Sequence, residues 1–582
     1  RVKIKMEEFF LELFSEEIPS KLQVNARKSL LENFKLFFEE NEIHIKGKLK
    51  VFSTPNRLIV HIDKITKQIS KKTEEIRGPN IKSPDKALEG FLRSNNLEKK
   101  EIYKKSTEKG EFYYYQKPSQ RINTADLIKE NLPKILSKIS WNKSMKWGDH
   151  NLFWGRPLKS ILSIFEGKKL DFNFNHLKSS NTTFIDKELE EKTKSFSSFK
   201  SYNLFFKSLG ILIDQEKRKS FISNEIIKLS NKKKLKINLK QKLLEEITNI
   251  VEKPKILFCE FDKKYLMIPK EILIITMQGH QKYFPTFDNK ENLTNNFIVV
   301  ADKKDIKGFV KLGNERVIEA RLNDAEFFWK KNRSQNLVKQ VSKLKNINYF
   351  KGLGTYFDKV QRIRKLCGII SDEMLISKEK IEIASSICKV DLMSDLVGEF
   401  PELQGIMGGY FAEVQGFDKE ISLAVSEHYL PIGMDSIVPK KPYSVALSIS
   451  DKLDSLVGFF GIKLKPSSSK DPYALRRMAI SLVRLIIENN RNLKLRDLIN
   501  YSCLLYKEQS FEFDSKLLQK DLSEFILERL KNYLKEKQIR NDIIESSTNI
   551  SNVDEILKIF KKSVALNKNI KRDFVQNVIA IY

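Results

Sequence analysis

Apolar positions at the start of the chain switch between the spacing of strands and the spacing of helices. Phe9–Glu16 is predicted as a strand, and Leu22–Glu40 as an amphipathic helix whose leucines and phenylalanines recur on one side. Leu49–Phe52 and Arg57–Ile65 flank a Ser-Thr-Pro-Asn turn and are predicted as paired strands. The pattern therefore predicts a β-α-β-β beginning.

The same periodicities predict the elements that follow. Helices are predicted at Lys86–Arg93, Thr124–Ile139, Glu216–Lys228 and Gln241–Val251. Strands are predicted at Glu111–Gln116, Ile256–Phe261, Tyr265–Met267, Ile272–Ile275 and Phe297–Asp302. Residues 178–203, rich in Ser, Thr, Lys and Glu, are predicted to form a loop or linker. From Lys330 to Tyr582 helical periodicity dominates.

This order of elements predicts an α+β multidomain protein with a mixed α/β N-terminal half and an all-helical C-terminal half. With 582 residues the chain is too long for one core. We expect an α/β module at 6–165, a second at 166–335, a helical domain at 336–490 and a further helical domain at 491–582.

Composition favours a folded, basic protein. Lys+Arg number 105 and Asp+Glu 75, a net charge of +30, which attracts phosphate backbones. The alternative is that abundant Lys, Asn and Ile reflect codon bias, with the charge spread over solvated helix faces. The four cysteines are far apart, which predicts buried thiols in a reducing cytoplasm. We expect no membrane span, and Met6 is a plausible start after an upstream extension.

The segment Lys389–Tyr410 carries two acidic residues, a Glu-Phe-Pro break and a Gly-Ile-Met-Gly-Gly run. Asp391, together with the distant Asp451, invites comparison with the metal centre of HD-type phosphohydrolases. The paired histidine of such a centre is absent, because Lys389 and Val390 precede Asp391, and His428 is the nearby histidine. Two carboxylates without imidazoles favour a metal-free helical scaffold over an active site.

Two further segments hold candidate RNA-binding residues. Asp471 and Pro472 predict a helix start, where Lys470, Arg476 and Arg477 are candidates for phosphate binding; the alternative is an ordinary capped helix. His280, Gln281 and Lys282 follow the predicted strand at Ile272–Ile275 and are candidates for contacts with RNA bases. The alternative there is a structural turn packed on Tyr283 and Phe284.

Several collinear blocks resemble the β subunit of the bacterial two-subunit glycyl-tRNA synthetase. They span nearly the whole chain: Phe10–Pro19, Thr54–Leu58, Met145–Gly148 with Arg156-Pro157, Met277–Pro285, Gly313–Trp329, Lys389–Tyr410, Asp451–Phe460 and Lys470–Arg477.

The resemblance implies an α₂β₂ glycine-tRNA ligase, an aminoacyl-tRNA synthetase in which the α subunit binds glycine, ATP and Mg²⁺. This chain would bind tRNA(Gly) and the α subunit, hold no metal or cofactor, and have no catalytic residue. Its C-terminal half would contain an HD-like domain, with Asp391 and Asp451 as vestigial positions, and an anticodon-binding domain.

This sequence departs from the family pattern at three places. Asn181–Phe184 stands where the family has a Gly-His-Arg-Phe block, and Asp302 where an Asn is usual. Ile570–Arg572 resembles a point inside the anticodon-binding domain, so we expect that domain to be truncated at Tyr582. Two rival hypotheses are a metal-dependent HD-type phosphohydrolase and a stand-alone RNA-binding protein.

Overall fold

The structure is a computed structural model that describes residues 5–71, 75–107, 110–117, 120–185, 192–467, 470–548 and 554–569. It divides into two compact units. One comprises Arg1–Asp262 with Met277–Ile318, and the other comprises Lys263–Thr276 with Glu319–Tyr582. The finer division into four modules stays a prediction.

The strands, almost all of them in the first unit, have the following bounds. They are β1 (Met6–Ser15), β2 (Leu49–Thr54), β3 (Arg57–Thr66), β4 (Gln68–Lys71), β5 (Glu75–Asn80), β6 (Ile102–Thr107), β7 (Gly110–Gln116), β8 (Gln120–Asn123), β9 (Leu158–Phe165), β10 (Lys168–Lys169), β11 (Asn173–Phe174), β12 (Leu177–Lys178), β13 (Thr182–Phe184), β14 (Thr193–Ser195), β15 (Lys236–Ile237), β16 (Lys255–Glu260), β17 (Phe284–Phe287), β18 (Leu293–Ala301), β19 (Asn348–Phe350) and β20 (Gly354–Thr355).

The helices alternate with strands at first and then follow one another. They are α1 (Ser20–Glu40), α2 (Asp85–Asn95), α3 (Thr124–Ser137), α4 (Phe199–Ser208), α5 (Gln215–Lys232), α6 (Gln241–Ile250), α7 (Lys270–Ile275), α8 (Phe309–Arg333), α9 (Leu337–Gln340), α10 (Tyr356–Met374), α11 (Lys378–Ile387), α12 (Asp395–Glu399), α13 (Ile406–Val414), α14 (Lys419–Glu427), α15 (Pro442–Gly461), α16 (Leu475–Glu488), α17 (Leu495–Glu508), α18 (Ser515–Glu536), α19 (Asn541–Ser547) and α20 (Ile556–Asn569).

The main sheet of the first unit is antiparallel, with strand order β10-β9-β1-β3-β2. Successive side chains of β1 point to opposite faces, and both faces are buried. Phe9 and Leu11 pack with helix α1 on one face, whereas Phe10 packs with Tyr202 and Phe206 of α4 on the other. A second antiparallel sheet has the order β15-β17-β18-β16. The mixed α/β N-terminal half is confirmed.

Arg57, in the block Thr54–Leu58, and Asp302 have structural roles in this unit. Arg57 is buried and pairs with Glu12 at 3.2 Å and with Glu252 at 3.4 Å. Asp302 accepts hydrogen bonds from the backbone N–H groups of Glu252 at 2.6 Å and Lys253 at 2.7 Å. An asparagine oxygen would accept the same bonds, so the departure from the family residue preserves this turn.

Three predictions of local structure are wrong. Residues 178–203 are not simply a loop, because β13 pairs with β14 and α4 begins at Phe199, where Ser198 caps the helix. Lys263–Met267 is a 3-10 helix where a strand is predicted at Tyr265–Met267. The predicted strand Ile272–Ile275 belongs to helix α7, which follows Pro269. A short run of apolar residues fits either element, so its period does not separate them.

Helix α15 is the centre of the second unit, and every residue from Tyr443 to Phe460 is buried. It packs against α10, α14, α16, α17 and α18. The helical C-terminal half is confirmed, apart from the short pairing of β19 with β20. None of the helices in the described residues is long and apolar enough to cross a membrane. The four cysteines are free and buried, as predicted.

Candidate functional site

The predicted pair Asp391 and Asp451 lies in the buried interior of the second unit. Asp451 is on α15, and Asp391 is in the 3-10 turn Val390–Met393 that follows α11. One turn of α15 beyond Asp451 lies Asp454, which is also buried. Asp451 and Asp454 lie on one face of α15, because positions three apart in a helix share a face.

Each carboxylate oxygen of Asp451 faces a buried lysine. Lys359 of α10 lies 3.1 Å from Oδ1, and Lys389 lies 3.1 Å from Oδ2. Burial acts to raise the pKa of Asp451, but the two ammonium groups outweigh it and hold the pKa below its ordinary range. Asp451 is therefore an ionised partner of two cations.

A second ion pair continues this line. Asp454 accepts hydrogen bonds from Arg362 Nε at 2.6 Å and Nη2 at 3.3 Å, and from Lys359 Nζ at 3.2 Å. The Arg362 guanidinium also lies over the ring of Tyr506, 3.8 Å from its centroid. Burial acts to lower the pKa of Lys359, yet Asp451 and Asp454 raise it well above its ordinary value. This is a tightly paired structural network.

Lys389 is held by three groups. Besides Asp451, its ammonium donates to His428 Nε2 at 2.9 Å and lies 3.8 Å from the ring centroid of Tyr429. His428 Nδ1 lies 2.6 Å from the carbonyl oxygen of Val425. Burial, together with the Lys389 charge, lowers the pKa of His428 well below its ordinary value. A neutral imidazole that donates from Nδ1 and accepts at Nε2 satisfies both contacts.

Asp391 caps the loop that leads into α13. Its Oδ2 accepts the backbone N–H groups of Gly405 at 2.5 Å and Gly408 at 3.2 Å. Burial raises the pKa of Asp391 to about 6, against the effect of those N–H groups. Gly405 has φ +84°, and a Cβ there would meet Tyr429 at 2.8 Å. These contacts explain why glycines stand in the Gly-Ile-Met-Gly-Gly run.

These donors do not fit a divalent cation. Ammonium groups cover both oxygens of Asp451, His428 Nε2 faces Lys389, and Asp391 is bound by backbone N–H groups. A metal ion needs unprotonated ligands, and buried ammonium groups beside it would repel it. Within the described residues no cluster of His, Cys, Asp and Glu is arranged to hold a metal.

A pocket of about 460 Å³ opens beside this network. Its lining includes Lys359, Lys389, Asp451 and the buried Lys452. Lys452 donates to the carbonyl oxygens of residues 428, 429 and 430 at 3.1–3.3 Å and to the Ser448 hydroxyl at 2.8 Å. Burial lowers the pKa of Lys452 to about 7, against the attraction of Asp451.

The predicted RNA-binding arginines lie in a neighbouring cleft of about 470 Å³. Arg476 and Arg477 line it together with Arg529 of α18, beside the acidic Asp435 and Glu536. Arg529 is half-buried, and its Nη2 lies 2.6 Å from Glu528. Three guanidinium groups thus line the cleft, and guanidinium groups suit a phosphate group.

The helix predicted at Asp471 begins later, and this prediction of its start is wrong. Helix α16 begins at Leu475 after Ala474, which has a left-handed conformation. Asp471 still caps it, because its carboxylate accepts the N–H groups of Leu475 at 2.9 Å and Arg476 at 3.0 Å. The cap occupies the helix start, and Lys470 is exposed and outside the residues that line the cleft.

His280, Gln281 and Lys282 lie in the first unit, in and just after a π-helical turn, Thr276–His280. Lys282 donates to the Gly279 carbonyl at 2.8 Å and pairs with Glu246 at 3.1 Å. Gln281 and Lys282 line a pocket of about 560 Å³, whereas His280 is exposed and outside it. Tyr283 is buried and donates to Asn314 at 2.7 Å. Contact of these residues with RNA stays a prediction.

Sequence reasoning missed Lys359, Arg362, Lys452 and Arg529. A charged residue within an apolar helical face is the available signal for the first three, because long charged side chains are rarely buried without partners. For Arg529 the signal is weaker, since Asn532 and Glu536 follow at helical spacing on the same face of α18.

A cleft lined by three arginines lies beside a buried centre whose carboxylates are paired with lysines. Comparison with known proteins gives the family. Residues 9–549 match the family model of the glycyl-tRNA synthetase beta subunit, and the chain belongs to that family.

Curated relatives agree with this assignment. The chain is 35% identical to the glycine–tRNA ligase beta subunit of Rickettsia canadensis (strain McKiel), over 99% of this chain and 85% of that protein. It is 37% identical to the subunit of Rickettsia peacockii (strain Rustic), over 91% and 78% of the two chains. The family predicted from the sequence is thereby confirmed.

Proposed function

We propose that this chain binds tRNA(Gly) and a catalytic α subunit, so that glycine is attached to the 3′ end of the tRNA. Glycine activation with ATP and Mg²⁺ takes place at the α subunit. Membership of the beta subunit family supports the assignment to an aminoacyl-tRNA synthetase.

The lysine-filled network around Asp451 is the observation that supports placing the chemistry on the α subunit and not on this chain. Lys359 and Lys389 occupy both of its carboxylate oxygens. A phosphohydrolase of the HD type needs such carboxylates and histidines free for metal. The residues present favour a structural role for this network over that alternative.

The arginine cleft supports the role in RNA binding. Arg476, Arg477 and Arg529 converge there on α16 and α18, and the chain carries a net charge of +30. Guanidinium groups bind phosphate oxygens in a bidentate manner, which positions an RNA strand without reading its sequence. We assign the backbone contacts of tRNA to this cleft, with Lys470 and the segment His280–Lys282 as further candidates.

We also propose the finer architecture of the family. Residues 336–490 form an HD-like helical domain, and the helices from α17 onward form part of an anticodon-binding domain. The position of both Asp391 and Asp451 in the buried interior of the second unit supports the first assignment. The sequence that resembles the interior of the anticodon-binding domain, Ile570–Arg572, lies outside the described residues. Assembly with α is proposed as α₂β₂.

Two measurements test this proposal. Mass photometry of the chain mixed with an α subunit from the same organism should show an α₂β₂ particle. Binding of tRNA(Gly) to that particle should weaken steeply as salt rises. A chain that stays monomeric beside α, or a salt-independent affinity, would contradict the proposal. Metal analysis distinguishes this proposal from an HD-type phosphohydrolase. The hydrolase would contain stoichiometric Mn, Fe or Mg, and Asp451→Ala would lose that metal.

A further inference from the structure

The pocket beside the lysine network has a positively charged floor and aromatic walls. Its buried floor includes Lys359, Lys389, Asp451 and Lys452. Its other lining residues include Tyr349, Tyr356, Tyr429, Met478 and the exposed Arg477. A volume of about 460 Å³ is within the range of pockets that bind small molecules.

The charges around the floor do not cancel within the described residues. The three buried lysines of the floor, Lys359, Lys389 and Lys452, face one buried carboxylate in the lining, that of Asp451, and burial lowers the pKa of Lys452 to about 7. At the exposed rim the lining holds one charge of each sign, those of Arg477 and Glu402. One anionic group in the pocket would complete this arrangement, because positive charge inside low-dielectric walls concentrates the field in the opening.

A buried hydroxyl in the pocket wall also lacks a partner. Ser481 of α16 is 1% exposed, and its Oγ has no hydrogen-bond partner among the described residues. A polar atom that is buried without a partner costs free energy, and each such atom calls for an explanation. A ligand oxygen in the pocket would satisfy it.

We propose that this pocket binds a nucleoside monophosphate group. Arg477 and Ser481 donate to the phosphate, the buried lysines supply the attracting field, and a base stacks on the tyrosine rings. Phosphate alone would leave the aromatic walls unused, and a neutral nucleoside would leave the floor charge unmatched. The pocket thus selects a ligand that has both parts.

Such a group has two possible sources. It is either a free nucleotide or one nucleotide of an RNA strand that crosses the arginine cleft, because Arg477 and Ile432 line both the cleft and the pocket. The inference itself does not depend on the proposed tRNA role, since it rests on the pocket and can be measured without tRNA or the α subunit.

The test is isothermal titration calorimetry of the full chain with AMP, adenosine and inorganic phosphate. We expect AMP to bind at least about tenfold more tightly than either fragment. Ser481→Met, which fills the pocket, should abolish AMP binding, and Ser481→Ala, which removes one hydrogen-bond donor to the phosphate, should weaken it by about tenfold. Absence of saturable AMP binding, or equal binding by Ser481→Met, would overturn the proposal.

A second pair of variants keeps the proposal testable if a substitution at Ser481 prevents folding. Tyr356 is half-buried at the start of α10, so Tyr356→Leu removes an aromatic wall with little disturbance of the core. We expect it to weaken AMP binding by about tenfold and Tyr356→Phe to bind as wild type. Unaltered affinity in Tyr356→Leu would contradict base stacking. If a short single-stranded RNA competes with bound AMP, the natural ligand is a nucleotide of an RNA strand. If the RNA does not compete, the natural ligand is a free nucleotide.

Discussion

The Nζ atom of Lys389 lies 3.1 Å from Oδ2 of Asp451, and both side chains are buried. With Lys359 on the other oxygen, Asp451 is the shared anion of two ammonium groups. Its contribution is therefore to the stability of the helical unit. Loss of one partner from such a network leaves uncompensated buried charge.

Asp451→Asn should therefore lower the free energy of unfolding by about 3–5 kcal/mol, measured by urea denaturation. Addition of a metal chelator to the wild type should leave the unfolding transition unchanged. The control is Glu508→Gln, which removes the exposed partner of Lys365 and should have little effect. A destabilising effect of the chelator equal to that of Asp451→Asn would contradict the account.

Gly409 allows the close approach of α13 and α14. A Cβ at this position would meet Ser426 Cβ at 2.6 Å and the Ser422 carbonyl oxygen at 2.8 Å. Gly409→Ala should lower the free energy of unfolding by about 1–3 kcal/mol, measured by urea denaturation, because the two helices must move apart.

Gly398 is the matched control for Gly409. It lies in helix α12 and is exposed, and its added Cβ would meet nothing within 4 Å. Gly398→Ala should raise stability by about 0.4–1 kcal/mol, because it restricts the unfolded chain. Equal destabilisation by both substitutions would show that the close contact of α13 with α14 is not the reason why Gly409→Ala lowers stability.

Asp391 should make stability depend on pH in the acidic range. Burial raises the pKa of Asp391 in the folded state to about 6 from its ordinary value of 3.8. As the pH falls, the folded state therefore binds a proton at a higher pH than the unfolded state does. Its contribution is complete below the unfolded pKa and is lost as the pH rises through the folded pKa. The stability of the wild type relative to Asp391→Asn should therefore increase from pH 8 to pH 3 by on the order of 3 kcal/mol.

Urea denaturation of both proteins at intervals across that range measures the difference. The charge of Lys389 is common to both proteins, so its titration cancels to first order. A difference that is constant with pH would show that Asp391 stays ionised in the folded protein.

The arginine cleft should set the affinity for tRNA. Arg477→Gln or Arg529→Gln should weaken binding and reduce the slope of log K against log salt by about 1 for each phosphate contact that is lost. Arg364→Gln is the control, because Arg364 is exposed and pairs with Glu382 away from the cleft. Filter binding at several salt concentrations measures both quantities. Equal slopes for all three variants would place the phosphate contacts elsewhere.

The elements that the sequence predicts well are those with a sustained period. Helix α1 buries one side along its length, so helical spacing identifies it, whereas β1 is a largely apolar run that is buried on both faces. The strand prediction for Ile272–Ile275 is wrong because four apolar residues fit both the strand period and the helix period. Pro269 before Lys270 is a signal for a helix start. In residues 178–203, Ser- and Thr-rich composition hid the short pairing of β13 with β14.

The site was predictable only in part. Asp391, Asp451 and His428 are visible in the sequence as unusual polar residues near one another along the C-terminal half. Their meaning depends on Lys359, which belongs to another helix and meets Asp451 only in the folded unit. Likewise, Arg529 joins Arg476 and Arg477 through the packing of α18 on α16. Such contacts depend on tertiary structure, which periodicity does not contain.

The most direct test of the proposed function is glycylation of tRNA(Gly) with glycine and ATP. The assay compares this chain alone, an α subunit from the same organism alone, and both together. We predict charging only when both are present, and a loss of charging with Arg529→Gln that exceeds any loss of glycyl-adenylate formation. Charging by α alone at the same rate, or no charging by the mixture while α still forms glycyl-adenylate, would contradict the account.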